Sequence, residues 1–291
     1  MEIPGKLSLS GLPPELITYI ASLACTDGGR TGSSLSAVSR YIADAAKSYR
    51  YQSVALSGRH QMKNFYHTII RVPMERRRVR DLYLFDQRSN WASVMDRDPL
   101  TERLQTLLPL LAAQLDTLTC VVFGAVKTDL LFPLLICRFP SLTSLTLRLT
   151  IPELSSLSPG AIHARMPRLK RLTYAIANDI EDSPALLGAL LSSCPSLAHL
   201  DLADVFLSFL GPVPAAAIAK RIGAPLDAGG LGTGVRVRVE ATLKQFGPLR
   251  DASEEDKRQY TQAIGYAAYR AAERTEQEWK HEWVARPHRV F

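Results

Sequence analysis

A chain of 291 residues with 46% hydrophobic side chains has room for one large domain or two small ones and can close a sizeable core. Its formal charge of +7 favours acidic partners in general, yet the basic residues are dispersed except in "ERRRVR", Glu75 to Arg80. The longest apolar run, Leu130 to Cys137, is too short to cross a bilayer and holds Pro133 at its middle, so no membrane span is expected.

The first element is "GLPPELITYIASLAC", residues 11 to 25. Pro13, Pro14 and Glu15 interrupt it as an export signal, and only Lys6 supplies a basic start. It reads instead as a helix, with prolines where a helix begins and Leu16, Ile20 and Leu23 at i, i+4, i+7. After a turn-rich "TDGGRTGSS" a second helix is expected, capped by Ser34, with Leu35, Val38, Ile42 and Ala45 on one face of "LSAVSRYIADAAKS". Two helices this short cannot bury both apolar faces alone, so some apolar surface must meet the rest of the chain or another protein.

A repeat follows. "FPSLTSLTL" (139 to 147), "MPRLKRLTY" (166 to 174) and "CPSLAHLDL" (194 to 202) each read P-x-L-x-x-L-x-(L/Y), with Pro140, Pro167 and Pro195 spaced by 27 and 28 residues. Stepping back 27 residues from Leu145 lands on Leu118 in "LDTLTC", while "YQSVAL" and "VRDLYL" place Val54 and Leu82 28 residues apart. The step from Leu82 to Leu118 is 36, so about nine extra residues are assigned to the polar stretch "DQRSNWASVMDRD". A last, weaker copy is "VRVRVE", Val235 to Glu240, after the loop "DAGGLGTG".

Each copy alternates as a short strand does, and the segments between copies carry helical periodicity: Met62, Phe65 and Ile69; Leu104, Leu108 and Leu111; Leu187 and Leu190 behind Ser183 and Pro184. A strand and a helix every 27 to 28 residues resemble the leucine-rich repeat over residues 51 to 245. That resemblance implies an α/β fold, an irregular solenoid with a curved parallel sheet. The asparagine that usually follows the strand is missing, its place taken by Thr150, Ala177 and Val205. Residues flanking the buried leucines should point out of the concave face, which makes Tyr83, Phe85, Arg148, Arg171, His199 and Asp201 the candidate substrate contacts. The tail, residues 246 to 291, contains a helical stripe of Tyr260, Ile264, Ala267, Ala271, Trp279 and Trp283, expected to close the open end of the array or to bind a partner.

"LPPEL", then "LSAVSRYI", then the strand in "YRYQSVAL" resemble the F-box and first repeat of F-box proteins, in particular the expanded F-box-like families of mushroom-forming fungi. The resemblance implies that residues 1 to 50 dock an SKP-family adaptor of a cullin-RING ubiquitin ligase and that the repeats hold a protein substrate. The adaptor-facing positions that match are Leu12, Pro13, Leu16, Ile20, Leu35, Val38 and Ile42. Glycine-rich "DGGRTGSS" stands where an F-box usually has an acidic-leucine step, and capping of the first repeat is the alternative role for these helices.

No nucleophile elbow, HExxH helix or phosphate loop occurs, and the glycines of "GGLGTG" lack dinucleotide-loop spacing, so neither catalysis nor a cofactor is expected. The six histidines and the scattered Cys25, Cys120, Cys137 and Cys194 show no metal-ligand spacing. Reduced thiols in a cytoplasmic or nuclear protein are expected. A repeat scaffold that binds protein without the adaptor is the second reading; contact with nucleic acid through Arg76, Arg77, Arg78 and Arg80, which read first as a solvated loop, is the third.

Overall fold

Strand side chains alternate between two faces, so a chain that repeats P-x-L-x-x-L must send its leucines one way and the residues between them the other. The computed structural model describes residues 9–86, 106–127, 134, 136–153, 165–176, 191, 193–203, 236–240, 280–281 and 283–285. Among these residues, seven strands form one sheet in chain order: β1 (Ser53–Ser57), β2 (Asp81–Asp86), β3 (Thr117–Lys127), β4 (Ser144–Glu153), β5 (Arg171–Ile176), β6 (His199–Ala203) and β7 (Arg236–Glu240). Every neighbouring pair is parallel.

The register is the one that the spacing predicts. Val54, Leu82, Leu118, Leu145, Leu172, Leu200 and Val237 share one row, and the 36-residue step between Leu82 and Leu118 leaves the phase intact. Leu56, Leu84, Cys120, Leu147 and Tyr174 form the next row on the same face. Both rows are buried from β1 through β5, joined by Leu200 on β6. Val79, Leu115, Leu142, Leu169 and Leu197, three residues before the first row, complete the stack.

Polar backbone at the strand entrances is satisfied in the same repeating way. The carbonyls of Gln52, Arg80, Asp116, Thr143 and Lys170 each accept two N–H bonds from the next unit, from Arg80 and Asp81, Asp116 and Thr117, Thr143 and Ser144, Lys170 and Arg171, Ala198 and His199. The proline of the motif has a matching cause. Leu169 N–H donates to Met166 and Leu197 N–H to Cys194, both at 3.1 Å, closing β-turns with Pro167 and Pro195 at the second position, where a fixed φ is preorganised.

Helix α4 (Gly58–Ile69) and the helical residues 106–111 back the leucine face, contributing Met62, Phe65 and Ile69, and Leu107, Leu108 and Leu111. Leu104, Leu187, Leu190, Ala177 and Val205 lie outside the described residues, as do the loop "DAGGLGTG" and all but Asp86 of the polar insertion. Thr150 does not end a strand: β4 continues to Glu153 and β3 to Lys127, with a register shift between Val122 and Ala125. The position that lacks the expected asparagine is therefore extended backbone.

Among the described residues, three α-helices precede the sheet, where two are expected: α1 (Pro14–Ala24), α2 (Arg30–Val38) and α3 (Arg40–Ala46). α2 starts four residues before Ser34 because Asp27 accepts bonds from Thr31 N–H and Oγ1, at 3.0 and 2.7 Å. It stops at Ser39, an extended residue whose Oγ accepts from Ile42 N–H and so caps α3. Gly32 lies inside α2, where a Cβ would stand 2.5 Å from the Arg50 carbonyl oxygen. The glycine-rich stretch is thus partly helix, glycine being required for close passage of the chain before β1.

Leu145→Ala, deep in the stack, should lower unfolding free energy by about 2–5 kcal/mol in urea titrations. Arg171→Ala, on the exposed side of β5, should change it by less than about 1 kcal/mol.

Candidate protein-docking surfaces

Helix α1 is apolar on two sides. Ile17, Ala21 and the capping residue Cys25 turn inward; Ala21 and Cys25 pack with Ala46, Leu35 and Tyr49. Leu16, Tyr19, Ile20 and Leu23 recur at i, i+3, i+4, i+7 on the other side and stay in solvent, Leu16 at 49% exposure. Val38 at the end of α2 is 59% exposed and Pro13 is exposed; Leu12 and Leu35 are half-buried.

Ile42 departs from the expected set. It is 1% exposed, because the break at Ser39 separates it from Val38 and turns it into the interior. Tyr41 is exposed instead and donates from its hydroxyl to the Leu12 carbonyl at 2.8 Å, tying α3 to the start of α1. Tyr19 and Tyr41 were not singled out by sequence; the i+3 step from Leu16 to Tyr19 was the available signal.

The layer is anchored without using its outward stripe. Thr18 Oγ1 donates to the Ala45 carbonyl at 3.0 Å, and Gln52 Nε2 to the Ser22 carbonyl at 3.1 Å. Gly28, at φ 78°, donates from its N–H to Ser53 Oγ and accepts from Ala55 N–H, which covers the outer edge of β1. The helices therefore cap the sheet through one side and present large apolar side chains on the other.

The second surface is the sheet face opposite the leucines. Tyr83, Phe85, Arg148, Arg171, His199 and Asp201 all lie on it, in three adjacent rows over β2, β4, β5 and β6. Their accessibility divides sharply. Arg171 is exposed and His199 and Asp201 are half-exposed, whereas Tyr83 at 0%, Phe85 and Arg148 are buried. The cover over the first two is the chain's own tail: Trp283, 4% exposed, packs with Tyr83, Phe85 and Val121, flanked by Ala55 and Val284. The Tyr83 and Trp283 rings lie 5.6 Å apart at 46°. A Cβ on Gly28 would reach to 3.4 Å from the indole, so the α1–α2 loop forms part of the same socket.

Two expectations are corrected here. Tyr83, Phe85 and Arg148 are not open contacts, and Trp283 sits over β1–β3 at the start of the sheet rather than closing its far end; the rest of the tail stripe, from Tyr260 to Trp279, lies outside the described residues. Burying an indole is worth at most roughly 6 kcal/mol at 25 cal/mol per Å².

The arginine run is largely occupied with its own chain. Arg77 donates to the carbonyls of Val72 and Ile70 at 2.7 and 3.2 Å, Arg80 pairs with Asp116 at 3.0 Å, and Arg78 lies 5.9 Å from the Tyr49 ring centre. Among the described residues, no group of three or more His, Cys, Asp or Glu could hold a metal ion, and no helix is long and apolar enough to cross a membrane. No protein-family model, curated protein or solved structure matches this chain.

All four cysteines are free and buried. Desolvation pushes the Cys120 and Cys194 thiols up to about 12, and desolvation followed by the nearby Asp27 charge pushes Cys25 up to about 11. A raised thiol pKa means that the folded chain keeps protons which the unfolded chain releases. Its stabilising contribution is intact below the ordinary value of 9.0 and falls as pH rises from there toward 12. Stability measured across that window should decline, less steeply in a Cys120→Ala, Cys194→Ala double variant, and native thiols should react with a disulfide reagent far more slowly than unfolded ones.

Proposed function

We propose that this chain is a non-enzymatic substrate receptor of an SCF-type cullin-RING ubiquitin ligase. In this reading the N-terminal helices are an F-box that docks an SKP-family adaptor, and the in-register strands are an irregular leucine-rich-repeat solenoid whose open face holds the protein to be modified. The observation that carries it is the solvent-exposed apolar stripe of Leu16, Ile20 and Leu23 on α1, with Val38 exposed at the end of α2, on a helical layer already packed through its other side. Helix-in-groove recognition needs anchors at this spacing. Ile42 contributes by holding α3 in place, not by touching the adaptor. Arg171, His199 and Asp201 are the accessible part of the substrate face.

A second reading has its own support. Gly28 and Gln52 bind the helical layer to the first strand, a capping role that requires no partner, and a repeat scaffold without an adaptor would keep those bonds.

Pull-down with a purified SKP-family adaptor separates the two. Wild-type chain should retain the adaptor, and a Leu16→Asp, Val38→Asp double variant should weaken retention at least about tenfold, the equivalent of 1.4 kcal/mol, with an unchanged melting temperature because both side chains are exposed. Failure of the wild type to retain adaptor, or full retention by the double variant, contradicts the receptor reading and leaves the scaffold.

A further inference from the structure

Basic residues that are dispersed in the sequence are gathered by the stacking at one end of the sheet. Arg138 and Arg165 lie one repeat apart, 27 residues, and so become partners in a parallel bridge, with the Phe139 N–H donating to the Arg165 carbonyl at 3.0 Å. Both are exposed. Arg168, at the third position of the turn closed by Leu169 N–H and the Met166 carbonyl, is exposed too, as are Lys170 and Arg171 at the entrance of β5. The row that holds Arg171 runs on through His199 to Arg236; in the other direction it passes Ser144 and Thr117 and ends at Asp81. Of the described carboxylates on β4 to β7, Glu153 and Glu240 stand at the strand exits and Asp201 lies two residues inside the entrance of β6. Among the described residues, none of Arg138, Arg165, Arg168, Lys170 and Arg171 has a carboxylate partner. Like charges held opposite one another destabilise a strand pair, so a rim of this composition costs stability until negative charge is supplied from outside.

We propose that this basic rim, at the strand entrances of β4 to β7, docks an acidic, carboxylate-rich segment of a partner protein. Arginine forks take carboxylates through paired N–H bonds, and four of the five exposed cations are arginines. The rim is short. Four strands at about 4.8 Å spacing span roughly 14 Å, the length of about four extended residues. Single-stranded nucleic acid is held by aromatic rings beside a basic track, and the described aromatic ring nearest this rim, Phe139, is wholly buried. A peptide of acidic side chains therefore fits better than a polynucleotide. The contact runs along the rim and not across the outer face, because Thr146 and Arg148 on β4 are buried; Arg171 and His199 are where rim and open face meet. Only the protein-binding role of that open face is taken from the function proposed above, and adaptor docking is not assumed.

The test uses the full chain and a labelled octaglutamate peptide, read by fluorescence anisotropy at low ionic strength. Wild type should bind it, and the triple variant Arg165→Glu, Arg168→Glu, Lys170→Glu should bind at least about tenfold more weakly. A control triple with the same change in net charge, Lys47→Glu, Lys63→Glu, Arg76→Glu, all exposed on the N-terminal side of the sheet, should differ from wild type by less than about twofold. No binding by wild type, equal losses in the two triples, or tighter binding of an eight-nucleotide single-stranded DNA than of the peptide overturns the proposal. Carbodiimide cross-linking in the wild type covers the case in which a variant does not fold: the peptide should couple to Lys170 in preference to Lys47 and Lys63, and even coupling to all three contradicts a localised rim. Adaptor pull-down and peptide binding fail independently, since loss of the first removes the receptor reading and loss of the second removes the acidic segment alone.

Discussion

The constraint on which everything else rests is the pairing of each strand entrance with the one before it. Five carbonyls, from Gln52 to Lys170, accept two backbone bonds each from the next unit, and this fixes both the parallel direction and the register. Once the register is set, the leucine rows have no choice but to coincide. A slip of one residue would send Leu145 and Leu172 to the outer face and bring Thr146 and Thr173 into the core. The energetic preference for apolar burial and the geometric demand of the backbone thus select the same arrangement, and the spacing of 27 to 28 residues is its signature in the chain.

Stacking of this kind leaves an edge and a face to be dealt with. The edge of β1 would be a template for unwanted strand addition, and Gly28 removes it by accepting the Ala55 N–H. The face is handled unequally, covered by Trp283 over β1–β3 and open at Arg171. Gly28 takes part in both arrangements, so the helical layer, the first strands and the tail meet at one point.

Much of this organisation is legible from residues alone, because it is local and periodic. The P-x-L-x-x-L motif specifies a turn, a buried anchor and a strand, and its phase survives the nine-residue excess before Leu118. What escaped was decided by competition or by distance. Ser39 lies within an apparently continuous apolar pattern, but its hydroxyl captures the Ile42 N–H and splits the helix, burying Ile42. The identity of the outer-face residues was correct, and the accessibility of Tyr83, Phe85 and Arg148 was not. For the first two, the cause is a contact with Trp283, which no nearby pattern announces. The glycine at position 32 read as a turn because a glycine required for close approach to Arg50 looks the same in sequence as one required for a bend.

Residue-resolved amide exchange at the strand entrances tests the stacking most directly. The amides of Asp116, Thr143, Lys170 and Ala198 each bond to a carbonyl of the preceding unit, so their exchange should be slow and should accelerate together in mild denaturant as one cooperative unit. Exchange of these four amides at the rates of an unfolded chain, or protection that differs between them without common response to denaturant, would mean that the units are not paired across the sheet in the register described.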